Sequence, residues 1–377
     1  PAPPGTLPPG PQSGRIYGHV LFGDATSLGS PVWNLVPEPR RPSEVKRIYV
    51  ATTSRSMFSS YFGGTVIDYE GYDEQKTAWE FEIFARPSAT AVVGIAGLYD
   101  LDTESFEPFA MGVARGILVG PGENVMGIDL AINIPLDTAI LVDLDDPPNL
   151  NTPGWEGPVE YTIRPILDLG GEGAIIMNAH GLPAQMPPAL RPGTFRFAEG
   201  DESILLPSMA PLTGNLADAS YSFIVGAYSA GGVSPYSVRI ERAITIVATP
   251  ITIGDFIGTP RPIDPAPDST ASALEVEIAN EAPAAGGVTF HMHLFIDNAQ
   301  ERQLLRMFSR GSVLRSPIPD LRNKNASLFS TDTDVSWTFY SIQIPELSFD
   351  DFTYRHLRAD YWSAYAADST TVQFPSP

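Results

Sequence analysis

Hydrophobic and polar residues alternate with period two in short runs along most of the chain. Trp79, Phe81 and Ile83 alternate with Glu80 and Glu82, and Ile128, Leu130, Ile132 and Ile134 with Asp129 and Asn133. Successive side chains of a strand point to opposite faces, so each run predicts a half-buried strand. "VTFHMHLFID" (288–297), "VSWTFYSIQI" (335–344) and "ADYWSAYAAD" (359–368) predict further strands. Helical spacing is scarce. Its best example is "NAQERQLLRMFSRG" (298–311), where Leu304, Leu305 and Phe308 precede a terminal Gly311, which predicts one short helix. Regular short strands without intervening helices predict an all-β chain of tandem antiparallel β-sandwich domains, Ig-like or transthyretin-like.

Proline and glycine punctuate this pattern at "DDPPNLNTPG" (145–154) and "GTPRPIDPAPDS" (258–269). The expected organisation is a proline-rich spacer at 1–14 followed by sandwiches at 15–147, 155–260 and 270–377, strung in line. The spacer "PAPPGTLPPGPQSG" has few backbone donors and a preset φ, which favours an extended polyproline form. A chain opening on such a spacer without methionine reads as the product of signal-peptide removal, with a lipid-modified cysteine ahead of Pro1 as one form of anchor. An arbitrary boundary is the alternative.

Two stretches resemble known modules. "GRIYGHVLF" (14–22) through "GENVMGIDLAINIPL" (122–136) resembles the transthyretin-like, carboxypeptidase-regulatory-like domains of bacterial surface proteins. "ATAVVGIAG" (89–97) stands where that family has a tyrosine strand. The resemblance implies a stalk or spacer module and brings no catalytic residue. "LADASYSFIVGAYSAGGVSPYS" (216–237) resembles the last two strands of a fibronectin type III domain. It implies that Leu216 and Tyr221 form the tyrosine corner of that fold and that Tyr221, Phe223, Val225 and Ala227 face inward.

Charge narrows the partners. The 377 residues include 23 Lys and Arg against 44 Asp and Glu, a net charge of −21. That balance repels nucleic-acid backbones and anionic lipid and favours cations. The absence of cysteine removes disulfides, thiolate metal sites and cysteine nucleophiles. No apolar run reaches the roughly 18 residues of a membrane helix, so no transmembrane segment is expected.

Candidate chemistry is sparse. His291 and His293 form an H-x-H pair that period two places on one face of a strand, a metal edge to which His356 or Asp297 could add; polar-face histidines are the alternative. D-x-D pairs occur at Asp100 and Asp102, followed by Glu104, at Asp143 and Asp145, and at Asp332 and Asp334. Asp143, Asp145, Asp146, Asn149 and Asn151 gather at the first interdomain junction, where oxygen ligands suit calcium as a cofactor. The glycine and glutamate of an EF-hand are missing, and a solvated acidic loop is the competing reading. There is no G-x-S-x-G elbow, and Asp350 with Asp351 reads as a polar turn, so no enzyme activity is expected. Trp337, Tyr361 and Trp362, within the aromatic-rich final block, could stack on a glycan or anchor a partner, with strand interior as the alternative. "NAS" at 325–327 is one glycan acceptor pattern. The sequence therefore predicts an exported bacterial surface protein, structural or adhesive and possible subunit of a filament, whose partners are copies of itself or other surface proteins. The alternative is a carbohydrate-binding surface lipoprotein of a glycan-uptake system.

Overall fold

The computed structural model describes residues 13–21, 35–53, 64–68, 78–144, 160–177, 203–228, 235–246, 250–271, 274–280, 287–298, 301–319 and 334–374. The spacer up to residue 12, the acidic loop at 145–159 and the acceptor Asn325 lie outside these residues.

The chain is all-β. Its strands are β1 (Gly14–Leu21), β2 (Glu44–Thr52), β3 (Gly64–Asp68), β4 (Ala78–Ala85), β5 (Ser88–Asp100), β6 (Ser105–Val119), β7 (Asn124–Ala131), β8 (Ile134–Pro135) and β9 (Thr138–Leu144). There follow β10 (Glu160–Asp168), β11 (Ala174–Ile176), β12 (Ser203–Met209), β13 (Ser220–Tyr228), β14 (Tyr236–Ile244) and β15 (Ile251–Ile253). The last are β16 (Arg261–Asp264), β17 (Ser269–Thr270), β18 (Glu275–Ala279), β19 (Phe290–Asp297), β20 (Arg302–Arg310), β21 (Arg315–Pro317), β22 (Val335–Gln343) and β23 (Ala364–Gln373). Among the described residues the helical pieces are short 3-10 turns.

Five sheets build three layered cores. The sheet β4-β1-β7 packs on β3-β2-β5-β6-β8, burying Ile16, Val20, Phe81, Ile83 and Leu130 against Ile48, Val92, Ala96 and Leu98. The opposite face of the five-stranded sheet, with Tyr49, Ala91, Val93 and Ile95, joins a second core containing Ile140, Val142, Leu206, Tyr161, Ile163, Tyr221 and Phe223. Strand β5 thus has a core on each face, which explains why "ATAVVGIAG" is apolar throughout: a strand covered on both sides has no solvent side on which to alternate. A third core lies between the sheet β16-β18-β21 and strands of the nine-stranded sheet, where Val276 and Ile278 meet Phe295, Trp337, Phe339 and Phe374.

Strand pairings cross both punctuated loops. Strand β9, before the first punctuated loop, pairs antiparallel with β12 and parallel with β15, both beyond it. The nine-stranded sheet runs β11-β10-β13-β14-β23-β22-β19-β20, with β17 added beside β23. Its β14–β23 pairing, Tyr236 opposite Ala367 through Arg239 opposite Ala364, crosses the second punctuated loop. Proline and glycine mark where the chain must turn; they do not say with which strand it pairs afterwards.

Residues 298–311 correct a second expectation. Among the described residues there no helix forms; β20 pairs antiparallel with β19, Phe290 opposite Arg310 and Phe295 opposite Leu305. Leu304, Leu305 and Met307 pack on the third core, the two adjacent leucines both reaching it where the register with β19 shifts, while Phe308 meets Phe290 on the other face at a ring separation of 6.2 Å. A bulge and apolar contacts on both faces of one strand together produce adjacent apolar pairs that imitate helical spacing. Gly311 is not a helix stop. A Cβ there would run into the carbonyl of Val288, so the strand ends in a close backbone approach that only glycine permits.

Candidate functional site

The tyrosine corner is present. Leu216 is buried in a 3-10 turn at Gly214–Leu216, and the Tyr221 hydroxyl donates to the carbonyl of Ala210 at 2.7 Å. Tyr221, Phe223, Val225 and Ala227 are all fully buried on β13. Burial of the phenol pushes its pKa upward, so it stays a donor.

His291 and His293 lie in the interior, where the sequence had placed a metal edge or polar-face histidines. They share a face of β19 as period two requires, but the β16-β18-β21 sheet closes the core on that side. His291 Nδ1 lies 3.0 Å from the Ser341 hydroxyl and Nε2 3.0 Å from the Gly311 carbonyl. The carbonyl can only accept, so Nε2 carries the proton and Nδ1 accepts from Ser341. In His293, Nδ1 accepts from the Trp337 indole at 3.3 Å. The proton of His293 therefore sits on Nε2, which is buried with no partner among the described residues. Burial, and then the neighbouring His291, push the His293 pKa down to about 3. Among the described residues no group of three or more His, Asp or Glu side chains is arranged to hold a metal ion.

The acidic candidates have local partners. Asp143, on β9, accepts from the Ser203 hydroxyl at 2.6 Å; Asp145, Asp146, Asn149 and Asn151 lie outside the described residues. Asp100 is buried, accepts from the Asp102 amide at 2.9 Å and pairs with Arg41 at 3.0 Å. That amide bond, foremost, holds its carboxyl below the usual range. Asp334 accepts from Gln373 at 2.9 Å, and Asp332 lies outside the described residues. Asp350 and Asp351 occupy an exposed 3-10 turn, as a polar turn should.

The aromatic candidates separate. Trp337 is fully buried between His293 and Phe295, so it is core and offers no face to a ligand. Trp362 is 8% exposed, and its indole donates to the His356 carbonyl at 2.8 Å. Tyr361 is 43% exposed and stands edge-on to His356. His356 is tied to its own turn through the Thr353 amide and is not beside the buried histidines in any hydrogen bond.

One feature invisible in the sequence is a cleft of about 710 Å³ beside these turns. It is lined by Arg239, Asp255, Arg310, Gln343, Glu346 and Phe349, which come from segments up to about a hundred residues apart. Arg239 is ion-paired with Glu241 at 2.7 Å, and Arg310 with Asp350. Gln343 holds Ser363 at 3.1 Å. Asp255 and Glu346 hold left-handed backbone, at φ 54° and 60°, which costs a side-chain-bearing residue energy and fixes where the carboxylates stand. The cleft offers two ion-paired arginines, the carboxylates of Asp255 and Glu346, an amide, hydroxyls and one aromatic ring, a set suited to hydrogen-bonding a polar ligand.

No protein-family model matches the chain, and no curated protein matches it in sequence. Among solved structures it is similar to the tip fimbrial protein Mfa3 from Porphyromonas gingivalis, with a C-terminal truncation, at 8% identity and a TM-score of 0.21 over 61% of this chain and 82% of that one. It is similar to the fimbrial anchor protein Mfa2 from Porphyromonas gingivalis at 10% identity and a TM-score of 0.19 over 60% and 77%. The chicken CNTN1 FN1–FN3 domains align at 10% identity and a TM-score of 0.16 over 80% and 85%. TM-scores this low do not establish a shared domain arrangement.

Proposed function

We propose that the chain is an exported cell-surface protein of a bacterium, with a structural or adhesive role and copies of itself or other surface proteins as partners. The observation that carries this reading is the interlocking of the sheets: the five-stranded sheet, with a core on each face, and the β14–β23 pairing tie all three cores into one strand-built body without a disulfide. A body joined by strand pairings resists separation of its parts, which is what a stalk or subunit requires. His291 and His293 are buried in the core, and Asp100 and Asp350 are held in ion pairs. Calcium at Asp143, Asp145, Asp146, Asn149 and Asn151 would stiffen the first loop within the same reading.

The experiment is fractionation of cells into membrane, soluble and shed material, with mass spectrometry of the native N-terminal peptide and sedimentation of the purified chain across concentration. Surface or shed protein that grows in mass with concentration is the expected result, and a chelator should lower its melting temperature if calcium is bound. Protein confined to the cytoplasm removes the proposal. The polar cleft favours a second reading, carbohydrate binding; there the chain would be a membrane-fraction lipoprotein, monomeric at every concentration and retarded by a polysaccharide affinity gel.

A further inference from the structure

The cleft beside the 3-10 turns is drawn from strands that lie apart in the nine-stranded sheet and from segments that follow strands. Arg239 stands on β14, Arg310 ends β20 and Gln343 ends β22, while Asp255 follows β15 and Glu346 follows β22. Its volume of about 710 Å³ falls within the range of small-molecule sites, about 300 to 1,000 Å³. The buried part of its wall is ordered within the fold. Gln343 and Ser363 are each 8% exposed, and Gln343 Oε1 accepts from Ser363 at 3.1 Å and from Arg239 at 3.4 Å.

Charge selects what enters. Arg239 is balanced by Glu241 and Arg310 by Asp350, and each pairing engages only part of a guanidinium's donor set. Asp255 and Glu346 differ: both are exposed, and neither makes a hydrogen bond or ion pair among the described residues. Both hold left-handed backbone, at φ 54° and 60°, a strained arrangement that concentrates at ligand sites. With the paired charges cancelled, the cleft keeps the charge of these two carboxylates, in a chain already at −21. An anionic ligand is repelled there and a cation attracted.

The mixture of donors and acceptors decides the body of that cation. A lysine side chain brings an ammonium, which only donates, and would cover arginine N–H groups without giving them an acceptor, at a cost in desolvation. A sugar hydroxyl both donates and accepts, so one ring can accept from Arg239 and Arg310 and donate to the carboxylates. We infer that the cleft binds an amino sugar whose nitrogen is free and protonated, a unit of a polysaccharide that lacks N-acetyl groups. Its ammonium groups pair with Asp255 and Glu346, and its hydroxyls meet the arginines. This inference rests on the carbohydrate-binding reading above and names the sugar class.

The test is calorimetric titration of the full chain at about pH 6, where carboxylates are ionised and sugar amines carry their proton. The probes are a glucosamine pentamer, its fully N-acetylated counterpart and a pentalysine peptide. The glucosamine pentamer should bind about tenfold more tightly than either of the others, the equivalent of about 1.4 kcal/mol, and added salt should weaken it while leaving the acetylated pentamer unaffected. Asparagine tolerates left-handed backbone, so Asp255→Asn with Glu346→Gln removes charge and keeps shape. This double variant should bind the glucosamine pentamer no better than the acetylated one, with its melting temperature and its affinity for the acetylated pentamer unchanged. Equal binding of the two sugars by the wild type, or a double variant that keeps the preference, overturns amine recognition in the cleft and leaves carbohydrate binding standing. Pentalysine that binds as tightly as the glucosamine pentamer overturns it too and makes the cleft a site for basic protein segments. A wild-type chain that binds neither sugar removes the carbohydrate reading, and this inference with it.

Discussion

The imidazoles of His291 and His293 are neutral because nothing beside them can accept a charge. Ser341 and Ser309 stand opposite His291 on the neighbouring strands, and Phe339 and Met307 opposite His293. No carboxylate occupies these positions, and burial pushes both pKa values down, that of His293 to about 3. An unfolded histidine titrates near about 6.5. Between that value and about 3, the unfolded chain binds a proton that the folded His293 refuses, so stability is whole above the window and falls as pH descends through it, by at most about 1.4 kcal/mol per pH unit. Acidification also relieves the self-repulsion of a chain at −21, which acts in the opposite sense. The useful quantity is therefore the difference between wild type and His293→Leu. Urea unfolding at pH 7 and pH 4.5 should show the wild type losing more stability than the variant. Equal losses would mean that His293 is protonated in the fold or accessible to water.

At the scale of the element, the tyrosine corner is the clearest link from sequence to geometry. Tyr221 reaches back eleven residues to Ala210, pinning the turn at Gly214–Leu216 to the start of β13. Tyr221→Phe leaves the ring in place and the buried carbonyl without its donor, which should cost about 1 to 3 kcal/mol with little change in m-value. Unchanged stability would mean that water or another donor replaces the hydroxyl. This corner and the alternating strand β4 were legible because each is written in local spacing: one aromatic at a fixed distance from a turn, or one apolar face against one polar face. β20 was not. Its partners on the two faces, Phe290 and the third core, are supplied by other strands, and its register shift lets Leu304 and Leu305 reach the same core, so the run Leu304, Leu305, Met307, Phe308 reads as one helix. The cleft was illegible for a similar reason, since Arg239, Gln343 and Glu346 meet only after distant strands have paired.

At the scale of the whole molecule, the shared cores decide how the chain unfolds. The second core takes Tyr49, Val93 and Met111 from before the first punctuated loop and Tyr161, Phe223 and Ile253 from after it. A fourth buried group takes Val238 and Ile240 from before the second loop and Phe290, Ile342 and Trp362 from after it. Polar ties follow the same route: Arg115 on β6 meets Glu172 at 3.0 Å, the Asn215 carbonyl at 2.9 Å and the Asp218 carboxylate. Three sandwiches strung in line would melt as three nearly independent transitions, because little surface would be buried between them. Here, ending the chain at residue 147 strips β9 of both its partners and uncovers Ile140 and Val142, which are fully buried in the intact fold. Calorimetry of the whole chain should accordingly give one dominant transition, with the calorimetric enthalpy close to the van't Hoff value, and a 15–147 fragment should be much less stable than the intact protein. Resolved transitions, together with a fragment that folds as firmly as the whole, would mean that the strand crossings join units already stable alone. In that case the sequence punctuation marks domain boundaries, as the sequence predicts.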